Sequence, residues 1–366
     1  MTKAIRSALT LLGIGAALLP AHAAPRATAH RTTTRLYQTS YKGWPDAFLL
    51  TNGTVDVVLV PAIGRIMAYQ FAGQPQTNML WNNPALAGRP LPFAVPYPPR
   101  ATEWVNYGGD KLWPAPQDDW AQRQRQAGNW PPDPQMDYGP YRVSRIPNGL
   151  RLTGPLSRNR QVRPIRDFVL APGSTQLTLR ETFLHPAPTA PGMPAAQRSF
   201  PLGLWNIAQA RPDATVFLPL SPASRFPNGY VVLAGKEGAA NWQAGDGLLA
   251  VTSHTVQGNK VGVDAAQGWI GALYGGNLVF TEQFALDPKG VYPDQNTSLQ
   301  VYSQGGTDGY LELEALGPLA DGAAGQAQSR TLTWTLRRLP HAPRSQSEAR
   351  RLMKSLVPPS PAEKAR

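Results

Sequence analysis

Hydrophobic positions along this chain follow a two-residue rhythm more often than a helical one. Residues 54–60 (TVDVVLV) are rich in β-branched side chains, and 64–71 (GRIMAYQF) follow after a short Pro-Ala-Ile turn. In 175–183 the alternation puts Leu177, Leu179 and Phe183 on one face. In 331–337 it does the same for Leu332, Trp334 and Leu336. Successive strand residues point to opposite faces, so these runs predict half-buried strands. Further strands are expected near 150–154, 161–170, 202–209, 214–218, 248–253, 268–274, 278–286, 297–302 and 309–315. One helical pattern stands out, 345–356 (SQSEARRLMKSL), ended by Pro358-Pro359. A dozen or more short strands with Gly, Pro and Asn between them predict an all-β protein built as a large antiparallel sandwich.

Composition supports turns over helices. The 366 residues include 38 prolines and 34 glycines, about a fifth of the chain. The start, MTKAIRSALTLLGIGAALLPAHAA, has Lys3 and Arg6, then an apolar run over 8–19, then Ala21-His22-Ala23. That is the pattern of a bacterial secretory signal, cut after Ala23. Twelve residues are too few to span ~30 Å of hydrocarbon, so a periplasmic or secreted chain with no transmembrane segment is expected. No cysteine is present, which leaves stability to a large core rather than to disulfides. The expected division is a signal at 1–23, a basic segment at 24–36, one β domain at 37–339, and a basic tail with a short helix at 340–366.

The formal charge of +12 sits at the ends. Residues 37–336 carry about +1 of it, which argues against nucleic acid as a partner. His185 and His254 are the two histidines of the body, so a histidine-rich zinc site is excluded. No P-loop, GxGxxG or GxSxG motif occurs. No cofactor is expected, although carboxylates from distant loops could assemble a calcium site.

Two segments carry candidate chemistry. In Tyr310-Leu-Glu-Leu-Glu-Ala315 a strand would put Tyr310, Glu312 and Glu314 on one face, with the carboxylates about 7 Å apart. Such a pair raises each member's pKa where water is limited, which suits a general base; a solvated acidic edge is the alternative. The second segment, WVNYGGDKLWPAPQDDW at 104–120, continues to Trp130 and two further prolines. It reads as a long, rigid aromatic loop. Trp113 and Trp130 offer flat surfaces for a sugar ring, and Asn106, Asp110, Lys111 and Gln117 offer partners for its hydroxyls. Gly108-Gly109 permits close backbone approach. The alternative is that these rings bury themselves at an open end of the sandwich.

In order along the chain, PAIGRIMAYQFAG, NMLWNNP, WVNYGGDKLWPAPQDDW, WPPDPQMD, LGLWNIAQ and YLELEALGPL resemble the bacterial domain-of-unknown-function family 4380. That family is similar to the galactose-mutarotase-like β-supersandwich group. The resemblance runs over 40–338, with GGDKLWPAPQ its most specific block. It implies a supersandwich with a carbohydrate site on its concave face. Aldose epimerases of the wider group pair a His acid with a late Glu base. The base carries over to Glu312 or Glu314, while the epimerase Asn-His-Thr-Tyr-Phe pattern is missing. His185 and His254 are the remaining histidines to consider, Lys111 could replace the acid, and an early Gly-Arg places Arg65 near the cleft. Glu282 is a weaker candidate of the same kind. The expected function is carbohydrate binding, at roughly −4 to −8 kcal/mol. The alternatives are an aldose 1-epimerase-like isomerase and a non-catalytic envelope protein. The residues leave open which sugar binds and how many copies assemble.

Overall fold

The computed structural model describes residues 33–91, 104–124, 128–157, 159–187, 201–236, 240–253, 257–306 and 309–357. The expected signal segment, most of the basic N-terminal segment, His254 and the end of the tail lie outside the described residues.

The described residues form three antiparallel sheets. Four strands, Arg35–Tyr41, Trp44–Thr51, Val55–Val60 and Arg65–Phe71, pair in sequence order. A ten-stranded sheet runs, in space, from Trp242–Gly245 through Leu248–Thr252, Ala214–Pro219, Trp269–Tyr274, Leu278–Phe284 and Ala327–Arg338. It continues through Leu177–Leu184, Arg163–Leu170 and Gly149–Thr153 to Arg142–Ile146. The six-stranded sheet has the order Val231–Ala234, Asn259–Val263, Leu299–Ser303, Leu311–Leu316, Gly203–Ala210, Asp110–Ala115. This is the large antiparallel sandwich that the alternation predicts and the supersandwich that the family resemblance implies.

Period-two alternation explains the layers. On Leu311–Leu316, Leu311, Leu313 and Ala315 enter the main core with Val216, Phe280, Trp334 and Leu336 of the ten-stranded sheet. Glu312 and Glu314 therefore face the other way. The expected strands at 54–60, 64–71, 175–183 and 331–337 are all present, shifted at their ends. The helix is Gln346–Leu356, and Ser345 Oγ accepts the Glu348 N–H at 3.2 Å as its N-cap. It buries Ala349 and Met353 against Phe217, Leu248 and Trp269, on the outer side of the ten-stranded sheet.

One expectation needs correction. The tryptophan-rich segment is not a single loop, because Asp110–Ala115 is the edge strand of the six-stranded sheet. Pro114 disguises it, yet proline is tolerated on an edge strand, where a donor can be spared. Gly108 and Gly109 bring it into place at φ +85° and +76°. A Cβ at either would lie 2.4 Å from a backbone oxygen, of Trp81 and Ile66 respectively.

Candidate functional site

The outer face of the six-stranded sheet gathers polar groups in register. Lys111 lies opposite Ile207, and Ile207 opposite Glu314, which is opposite Gln300. One pleat along, Gln209 is opposite Glu312, Glu312 opposite Tyr302, and Tyr302 opposite Lys260. The two carboxylates reach apart. Glu312 Oε1 accepts from Lys111 Nζ at 3.0 Å and from Gln209 Nε2 at 2.7 Å. Glu314 Oε2 pairs with Lys260 Nζ at 2.8 Å and accepts the Trp205 indole N–H at 2.9 Å.

Each ammonium also sits over an indole. Lys111 Nζ is 3.9 Å from the Trp113 ring centre and 5.6 Å from that of Trp104; Lys260 Nζ is 4.6 Å from that of Trp205. The indoles form a cluster with Trp104–Trp130 at 4.7 Å, Trp113–Trp120 at 5.4 Å and Trp113–Trp205 at 5.7 Å. Asp137 aims two of them. Its carboxylate accepts Trp113 Nε1 and Trp104 Nε1, each at 3.0 Å, and Arg65 at 2.6 Å. A fully buried arginine thus fixes the carboxylate that fixes the walls around Lys111.

Burial sets the electrostatics. Desolvation pushes Lys111 below its ordinary pKa, while Glu312 pulls it back up. Desolvation pushes Glu314 up to about 7, with Glu312 adding to the rise and Lys260 opposing it. Three buried acceptors on this face, Gln209 Oε1, Gln300 Oε1 and Glu314 Oε1, have no hydrogen-bond partner in the protein. Each costs ~1–3 kcal/mol in that state. Accessible groups ring the face: Trp130 is 45% exposed, and Trp81, Trp104, Tyr302 and Glu312 are partly so.

Of the residues singled out in the sequence, Lys111, Trp113, Glu312 and Glu314 come together here, with Trp130 at the rim. Asn106 joins them at the side, near the Tyr310 hydroxyl. Gln117 is set further off and donates to the Asn129 carbonyl at 3.1 Å, tying its loop. Arg65 and Asp110 do not line this face. Arg65 is interior, bonded to Asp137 and to the Gly108 carbonyl at 2.9 Å. Asp110 lies between the sheets, where it pairs with Arg166 and accepts the Ile66 N–H at 2.8 Å. In the same inner layer Glu181 accepts from Arg166, Arg330 and Asn206. Glu282 is also there, bonded to the Trp334 indole at 2.6 Å. His185 sits at the end of strand Leu177–Leu184, its pKa lowered by burial. Sequence reasoning missed Lys260, Gln209, Asp137 and Trp81, whose proximity is created by register between distant strands. Among the described residues no group of three metal-ligating side chains gathers, and no described helix is long and apolar enough to cross a membrane.

Residues 46–337 match the family model described as Domain of unknown function (DUF4380). The chain belongs to this family. No match was found among curated proteins. Among solved structures, a putative aldose 1-epimerase from Klebsiella pneumoniae superposes with a TM-score of 0.55 at 12% identity, over 88% of this chain and 86% of that one. A galactose mutarotase-like protein from Lactobacillus casei gives 0.50 at 11%, over 80% and 100%. A TPR-domain containing protein from Parabacteroides distasonis gives 0.50 at 12% over 80% of this chain, which spans only 47% of that longer protein. At these identities the likeness is one of fold: the supersandwich is galactose-mutarotase-like.

Proposed function

We propose that this member of the family binds a carbohydrate on the outer face of the six-stranded sheet, and that the chain is exported. The supporting observation is the accessible Glu312 carboxylate, held by Lys111 and Gln209, on one face with the partly exposed rings of Trp81, Trp104, Trp130 and Tyr302. A ring with hydroxyl donors and apolar C–H faces answers both features. Glu312 and Lys111 then fix the orientation of the bound sugar.

A second reading is supported by Glu314, raised to about 7 beside a second carboxylate on the same strand. A carboxyl able to give or take a proton near neutrality, next to the Lys111–Glu312 pair, suits an aldose 1-epimerase-like isomerase. In that reading Glu314 protonates the ring oxygen as the C1–O5 bond opens, and Glu312 takes the anomeric hydroxyl proton. The structural neighbour from Klebsiella pneumoniae, a putative aldose 1-epimerase, is in keeping with such chemistry.

NMR of the purified protein with monosaccharides tests both. Ligand line broadening, lost at least tenfold in affinity in Lys111→Met, is expected if the face binds sugar; equal broadening in that variant would refute the assignment. Accelerated anomer exchange, abolished by Glu314→Gln, would establish the isomerase.

A further inference from the structure

Two of the unpartnered oxygens belong to residues that oppose each other. Gln300 and Glu314 are cross-strand partners on Leu299–Ser303 and Leu311–Leu316. Side chains of such partners point to the same side, with Cβ atoms about 4.5–5.5 Å apart. Both residues are fully buried, and neither Glu314 Oε1 nor Gln300 Oε1 is open to solvent or has a donor.

The Gln300 amide is not free to turn and supply one. Its Nε2 donates to Asp294 Oδ2 at 2.9 Å and to Thr297 Oγ at 2.7 Å. The Thr297 hydroxyl directs its own hydrogen to the Asp294 carbonyl at 3.0 Å, so both partners of Nε2 are acceptors. Exchanging nitrogen and oxygen would set Gln300 Oε1 against the Asp294 carboxylate. An unusual backbone builds this clamp. Asp294, Gln295 and Asn296 stand at φ 49°, 63° and 67°, and the Thr297 N–H closes the turn on the Pro293 carbonyl at 3.1 Å. Three successive left-handed residues without glycine are disfavoured, and persist only where their surroundings enforce them.

The other oxygen of Glu314 is already taken, by Lys260 Nζ at 2.8 Å and the Trp205 indole N–H at 2.9 Å. A proton on Oε1 would satisfy both orphan oxygens at once, with the Glu314 hydroxyl donating to Gln300. Burial most strongly favours that form, and Glu312 on the same strand and Asp294 on the turn add to it. Lys260 on Asn259–Val263 opposes it, while Lys111 on the edge strand is paired with Glu312.

We infer that Glu314 and Gln300 share one proton, bound to Glu314 Oε1 and donated to Gln300 Oε1, and that Gln300, set by Asp294, is the positioning residue that keeps Glu314 in its acid form. The positioning role rests on the isomerase reading; the shared proton does not.

The test is a carbon-detected NMR pH titration of the full chain, following the Glu314 carboxyl and the Gln300 side-chain amide. In the wild type both should move with one midpoint, at about 7. A Gln300 amide that does not follow Glu314, or a Glu314 midpoint at the ordinary 4.5, overturns the inference, and this comparison needs no variant to fold. Gln300→Met removes the acceptor at similar size and should lower the Glu314 midpoint by at least about one pH unit. An unchanged or raised midpoint in that variant also overturns it. A shared midpoint without acceleration of anomer exchange supports the pair and counts against the isomerase alone.

Discussion

At the scale of single residues, Asp137 and Glu282 carry the most exposed claims. Asp137 is the hinge between Arg65 in the interior and the two indoles that enclose Lys111. Asp137→Asn leaves Arg65 without its buried counter-charge, an uncompensated charge worth about 3–5 kcal/mol. The expected outcome is a loss of that order in urea denaturation, together with shifted indole N–H resonances of Trp104 and Trp113. Resonances unmoved in the variant would refute the positioning role. Glu282 is pushed up to about 8 by burial, with the nearby Glu181 adding to the rise and Arg330 opposing it. The folded protein therefore holds a proton that the unfolded chain releases near the ordinary 4.5. Its contribution is fully present below that value, and stability falls as pH rises towards about 8. Glu314, raised to about 7, acts in the same sense. Glu282→Gln should flatten the fall between pH 5 and pH 8 by a few kcal/mol, at about 1.4 kcal/mol per pKa unit. A denaturation series with the same slope in both proteins would contradict this.

At the scale of elements, the edge strand Asp110–Ala115 decides whether the site exists. Positive φ and backbone contact both forbid a side chain at Gly109. Gly109→Ala is expected to destabilise by about 1–3 kcal/mol and to weaken sugar binding by displacing Lys111. A full-affinity variant would show that the strand's placement is not critical. The C-terminal helix offers a control remote from the face. Met353 is 1% exposed beneath it, so Met353→Ala should cost about 2–5 kcal/mol with sugar affinity unchanged. These elements differed in legibility. Leu311–Leu316 was readable because Leu and Glu alternate cleanly, and the helix because its cap and its breaker bracket it. Asp110–Ala115 was hidden, since Pro114 and the flanking Gly-Gly mark turns in most contexts. Arg35–Tyr41 was hidden because an edge strand with no fully buried side chain shows no hydrophobic rhythm.

At the scale of the whole molecule, alternation foretold two stacked faces but not which charged residues belong to which layer. Asp110 and Lys111 are sequence neighbours, and the pleat sends them to opposite sides of one sheet. Asp110 goes to Arg166 in the inner layer and Lys111 to Glu312 on the outer face. Reading that segment as a loop made both look like ligand residues. Lys260 and Gln209 reach Glu314 and Glu312 across 54 and 103 residues of chain, a closeness that only strand register creates. The central claim is that a sugar meets this outer face, and the ten tryptophans report on it directly. The measurement is the ¹⁵N–¹H spectrum of the indole groups during titration with a carbohydrate panel. Shifts are expected for Trp104, Trp130 and Trp81, with Trp334 in the core and Trp269 beneath the C-terminal helix unmoved. Shifts confined to Trp334 or Trp269, or no shift with any sugar, would contradict it.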